Sequence, residues 1–95
     1  MQVFFVSLRT EKITGPGEVI ELSDEGGGRA LLFFEAKDLS FKEWEGYAIV
    51  VPAEGKIWGA GRPEKQQSDT YTCRFAFAPQ AIPEESLTLF KPVKE

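Results

Sequence analysis

Asp24 and Glu25 stand directly before Gly26-Gly27-Gly28, and Glu18 and Glu21 lie a few residues upstream. Paired carboxylates divide acid and base roles only when a cleft holds them and separates their pKa values. Nothing in this spacing provides a cleft. The expectation is a solvated acidic surface, with a hard-cation site or a docking patch for a basic partner as the chemistry such a surface could carry. The triple glycine invites comparison with a phosphate-binding loop. It lacks the Gly-Lys-Ser/Thr ending and a long following helix, and its neighbouring acids repel phosphate, so it reads as a flexible hairpin turn. Gly59-Ala60-Gly61-Arg62 is better placed to hold an anion, because small residues beside an arginine can form a nest of backbone N–H groups. The plainer reading of the same stretch is a hairpin end with a solvated arginine.

Other chemistries are excluded by what the chain lacks. It has no histidine and one cysteine. That removes Ser-His-Asp and Cys-His nucleophile systems and Cys/His zinc sites. No catalytic residue, cofactor or metal ligand is therefore expected. Cys73 falls on the apolar side of an alternating segment and reads as a small core residue. Arg74 follows it but points to the opposite side, where it cannot activate the thiol.

The aromatic residues make up 13% of the chain. Phe5, Phe34, Phe41, Trp44, Trp58, Tyr71 and Phe90 exceed what a thin core readily hides. Some are expected at the surface as a partner or subunit contact, where Trp and Tyr are enriched. Stacking on single-stranded nucleic acid is the weaker alternative, because the net charge is −4 and an acidic chain repels phosphate backbones.

The elements that would position these groups are short strands. Residues 46–61, GYAIVVPAEGKIWGAG, form the clearest hairpin. Tyr47, Ile49 and Val51 alternate with Ala48 and Val50, so both faces of the first arm are apolar and it belongs in the middle of a sheet. Pro52 ends that arm, and Pro52-Ala53-Glu54-Gly55 makes a tight turn. The return arm is 56–58, stopped by Gly59 and Gly61. Before this hairpin, strands are expected at 3–8, 18–22 and 29–36, with 10–17 as a loop, in an antiparallel meander. After it come a polar loop at 62–69, an alternating strand at 70–78 and a last strand at 86–90, with a possible helical turn at 83–85 and a frayed tail at 91–95. Between the third strand and the hairpin, Ser40 and Glu43 have the spacing of a capping box, Leu39 and Trp44 that of a hydrophobic staple, and Gly46 that of a stop. They predict one helical turn at 41–45, held by Phe41 or Trp44 docking on the sheet.

Together these features predict a mainly β protein. It would be a small antiparallel barrel or a two-sheet sandwich of six to seven short strands with one short helical turn, in a single domain over 1–95; an α+β fold is the alternative. No apolar run approaches the roughly 20 residues of a membrane helix. The N-terminus lacks the basic-then-apolar pattern of a signal peptide. With a single cysteine, these features point to a soluble cytoplasmic protein without a membrane partner.

Both strands 3–6 and 31–34 are apolar on two faces. A barrel or sandwich covers one face of each, which would leave Val3, Phe5, Leu32 and Phe34 as an outer patch. The expected function is a non-enzymatic protein-interaction module, regulatory, inhibitory or accessory. It would use an apolar patch with an acidic rim to hold a protein partner or a second copy as a homodimer. Trp58, Arg62 and Tyr71 are the candidate ligand or partner contacts. The second reading is a small-ligand-binding barrel, or an enzyme working through carboxylates, Tyr71 or Arg62, for which Arg62, Tyr71 or Glu54 would line a deep pocket. The third is a single-stranded nucleic-acid binder, which would need a basic groove crossing aromatic residues.

Overall fold

The computed structural model describes residues 1–87 and Phe90. Its strands are β1 (Gln2–Ser7), β2 (Ile13–Gly26), β3 (Arg29–Glu35), β4 (Tyr47–Val51), β5 (Lys56–Gln67), β6 (Thr70–Ala76) and β7 (Gln80–Ala81), followed by the one-turn helix α1 (Glu84–Leu87). All strand pairs are antiparallel. The spatial order β4-β1-β2-β3-β6-β5 closes on itself through β4–β5, so the first six strands form a barrel, and β7 adds to the start of β5. The run β4-β1-β2-β3 is a Greek key. The fold is thus the expected mainly β one, in its barrel form.

Two strands are long because each serves two neighbours. β2 pairs with β1 through 13–18 and with β3 through 18–26. β5 pairs with β4 through 56–61 and with β6 through 61–67. Gly59 and Gly61 therefore do not stop β5. They let it cross closely over β6, where a side chain at either position would overlap a carbonyl oxygen of Ala76 or Arg74. The stretch expected to be a loop at 62–69 is largely the second half of this strand, and part of the expected loop at 10–17 is the first half of β2. The turn at 52–55 forms as expected, with Gly55 at φ 64° and the Gly55 N–H donating to the Pro52 carbonyl.

The barrel interior is packed with side chains. Val3, Phe5, Leu32, Phe34, Ile49, Val51, Cys73 and Phe75 are wholly or almost wholly enclosed. Each large one contributes roughly 1.5–3 kcal/mol relative to exposure. This corrects the expected outer patch: Val3, Phe5, Leu32 and Phe34 are the inner face of β1 and β3. β1 is apolar on both sides because its outer side is also covered. Phe4 and Val50 lie under Ile82 and Phe90, with the Phe4 and Phe90 rings 5.6 Å apart. Ile82 and Phe90 thus cover the outer wall at β1 and β4.

The helical turn expected at 41–45 does not form. Only the Glu45 N–H reaches back, to the Lys42 carbonyl. The segment is instead fastened across one barrel mouth. Phe41 packs edge-on against Phe5, Phe34, Tyr47 and Tyr71. The Tyr71 hydroxyl donates to the Leu39 carbonyl, and the Lys42 N–H donates to the Tyr47 hydroxyl. Five residues cannot hold a helix against such competition. Phe41 docks as expected, whereas Trp44 stays outside. Near the C-terminus, α1 is the helical turn after Pro83. Ser86 and Leu87 belong to it and not to a strand; the rest of that expected strand except Phe90, and the tail at 91–95, lie outside the described residues.

Candidate functional site

Arg62, Trp58 and Tyr71 do not meet. Trp58 is a core residue whose indole N–H donates to Glu54 at 2.8 Å. Tyr71 points inward, stacked on Phe34 with ring centroids 5.5 Å apart. Arg62 lies on the outer wall. The deep pocket expected of a ligand-binding barrel is therefore not built from Arg62, Tyr71 and Glu54. Tyr71 does reach the floor of an open cleft between residues 39–43 and 63–65.

The features that do converge lie on the β2–β3 hairpin. Past Val19, whose N–H donates to the Met1 carbonyl, β2 leaves β1 behind, while its pairing with β3 continues to Gly26. Among the described residues, no strand pairs with the other edge of residues 20–25. The tip carries Gly26, Gly27 and Gly28, all at positive φ and touching nothing that a side chain would displace. The flexible turn read from the sequence is thus the end of a projecting ribbon. Ile20 is 56% exposed, Leu22 38% and Phe77 40%. Leu22 and Phe77 line a cleft of about 310 Å³ with Ala30 and the glycine tip. Glu18, Glu21, Asp24 and Glu25 are all exposed along the same ribbon. Exposed apolar residues and exposed acids thus share this ribbon, and none of the apolar ones is among Val3, Phe5, Leu32 and Phe34. Alternation along a regular strand at 18–22 would turn Ile20 and Leu22 inward, with Glu21 outward. What hid their exposure was the length of β2, which overshoots the barrel.

On the outer wall beside this ribbon, three strands bring together Arg29, Arg62 and Arg74. Arg62 and Arg74 are direct cross-strand partners between β5 and β6. Arg29 pairs with Ala76, two residues from Arg74 on the same face. The three line one groove of about 400 Å³, with Ala60, Gly61 and Ala76 as a floor of small residues. Arg74 Nε donates to Glu25 at 2.9 Å. The anion-holding reading of Gly59-Ala60-Gly61-Arg62 caught one third of this cluster. Arg29 and Arg74 each occupy an outward position of an alternating strand, which is a visible signal, but their convergence depends on strand pairing.

Glu45 is a further residue that sequence reasoning passed over. Its carboxylate is enclosed, accepting from Tyr47 at 3.0 Å and from Arg9 at 3.2 Å. Burial pushes its pKa up, but hydrogen bonds from Ser7, Tyr47 and Arg9 outweigh this and hold it below the ordinary carboxylate value. Burial, with Glu45 nearby, pushes the Tyr47 phenol up against the opposing Lys42 N–H. Cys73 is a core residue, its thiol pushed up to about 12 by burial and then by Glu64. Trp44, 59% exposed, is flanked by Arg9 and Lys42 at 4.9 and 5.5 Å from its ring centre. Among the described residues, no three acidic or thiol side chains converge as a metal site. No protein family, curated protein or solved structure matches the chain.

Proposed function

We propose that this chain is a non-enzymatic interaction module. It would hold an extended, basic and apolar segment of a protein partner along the free edge of β2. The observation that carries this reading is the unpaired edge of residues 20–25 beside the exposed Ile20, Leu22 and Phe77. A free strand edge offers backbone donors and acceptors to an incoming strand, and side-chain pockets beside it select the sequence. Acidic residues along an edge discourage pairing with a second copy of the same edge. The same charges favour a partner bearing Lys or Arg. That argues for a different protein over a homodimer at this edge. The packed interior leaves the outer surface as the place for such work.

The experiment is calorimetric titration with an alternating Val/Lys peptide, and with the same composition scrambled to break the alternation. Saturable binding of the first alone is expected, together with slowed hydrogen exchange at the amides of 20–25. Binding that survives Leu22→Asp unchanged would remove this edge from consideration.

A further inference from the structure

We propose that the Arg29/Arg62/Arg74 groove is a second binding site, built for a phosphate monoester. Three of the four arginines in the chain line it. Placing Arg62 opposite Arg74 sets like charges face to face, which disfavours folding. Packing gives no reason for either guanidinium, since both side chains lie on the exposed wall. Arginine in place of lysine points to oxyanion recognition, because the planar fork matches phosphate and carboxylate oxygens in pairs.

Glu25 reaches over β3 to Arg74 Nε at 2.9 Å, so this guanidinium already binds an oxyanion of the chain itself, although Glu25 is not among the residues lining the groove. Among the described residues, Arg29 and Arg62 have no such partner. With Glu25 displaced, three guanidiniums against the one acid of the lining, Glu64, leave a positive excess that matches the charge of about −1.5 to −2 on a phosphate monoester better than that of a single carboxylate. The floor of Ala60, Gly61 and Ala76 leaves room for a tetrahedral group to approach the backbone. Glu64 stands at the Thr72 end of the groove and repels an anionic chain that continues past it. The site therefore suits a terminal phosphate, not a polyphosphodiester. Glu25, on its glycine-tipped hairpin, is the internal competitor that an arriving phosphate displaces. Exposed ion pairs of this kind hold weakly.

The test is an NMR amide titration at low ionic strength. The probes are inorganic phosphate, a phosphoserine peptide, the same peptide with glutamate in place of phosphoserine, and a single-stranded oligonucleotide lacking terminal phosphates. Saturable shifts centred on Ala60, Arg74 and Ala76 are expected with the first two probes. Tighter binding of the phosphopeptide would indicate a phosphorylated protein as the source, and equal binding a small phosphorylated molecule. Arg62→Gln and Arg29→Gln lie on the exposed wall and should leave the fold intact. Each should weaken phosphate binding roughly tenfold, the scale of one charge-assisted hydrogen bond. Glu25→Gln should strengthen it. The proposal is overturned by shifts that do not saturate, by arginine variants that bind like the parent, or by equal binding of the glutamate peptide or the oligonucleotide.

Discussion

The Tyr47 hydroxyl donates a 3.0 Å hydrogen bond to Glu45 Oε2, inside the junction that fastens residues 36–46 to the barrel mouth. Ser7 and Arg9 hold the same carboxylate from the β1–β2 side. Glu45 therefore has a lower pKa in the folded chain than the ordinary 4.5. Its stabilising effect is fully present above that ordinary value and is lost as pH falls through the lowered one. The Tyr47 phenol is shifted the other way, so its contribution is present below the ordinary 10.0 and is lost as pH rises through the raised value. Thermal melting followed against pH should show the parent losing its advantage over Glu45→Gln below about pH 4.5. A constant difference down to acid conditions would mean that the carboxylate charge does not support the junction.

Phe5 and Phe34 lie with ring centroids 4.6 Å apart inside the barrel. Phe5→Glu is therefore expected to prevent folding, not to separate a dimer. Phe5→Ala should cost about 3–5 kcal/mol, as for other buried Phe truncations. Denaturant titration checks both. A well-folded Phe5→Glu protein would place this ring outside.

That inversion shows what the sequence could and could not reveal. The β1-β2-β3 meander, the β4–β5 turn and the alternation of Tyr71, Cys73 and Phe75 were legible because each rests on local chemistry: turn residues, or a period of two. The inward face of β1 was not, since Phe4 and Phe5 are equally apolar and the outer cover, Ile82 and Phe90, comes from the far end of the chain. The arginine groove was invisible for a similar reason. Arg29, Arg62 and Arg74 are distant in sequence, and only the β3-β6-β5 order makes them neighbours.

Ser40 illustrates the opposite error, a local signal overruled by tertiary packing. With no helix at 41–45, Ser40 has no helical N–H to cap. Ser40→Ala should change stability by less than about 0.5 kcal/mol, as for most surface changes. Phe41→Ala should cost roughly 2–3 kcal/mol, somewhat below a fully buried Phe. If the alanine at 40 were the more damaging of the two in urea, the capping box would have to be restored.

Cys73 should behave as an inert thiol. Its raised pKa, about 12, keeps it protonated at pH 8, and the protonated thiol is not the nucleophile. A thiol reagent should label it only at the rate at which the barrel opens. Addition of denaturant should then make labelling fast and complete. Rapid labelling under native conditions would show that β5 and β6 part locally.

Gly61 marks where β5 passes from β4 to β6. A Cβ there would overlap the Arg74 carbonyl oxygen and come within 2.9 Å of Cys73 Sγ. Neither neighbour is the free end of a long side chain. Arg74 contributes backbone, and Cys73 is locked in the core between Leu32 on β3 and Pro63 on β5. The strand would have to move outward, opening the β5–β6 ladder next to the arginine groove. Gly61→Ala should therefore cost about 1–3 kcal/mol, the scale of overpacking, and should displace Arg62 relative to Arg74. Gly27→Ala provides the contrast. It meets nothing within 4 Å, but its φ is 63°. Its cost should be about 1–2 kcal/mol, from backbone strain alone, with the barrel amides unmoved. Comparing the two variants by urea midpoint and amide chemical shifts separates crowding from strain. Equal shifts at Arg74 in both would mean that Gly61 is not the point of contact between the two strands.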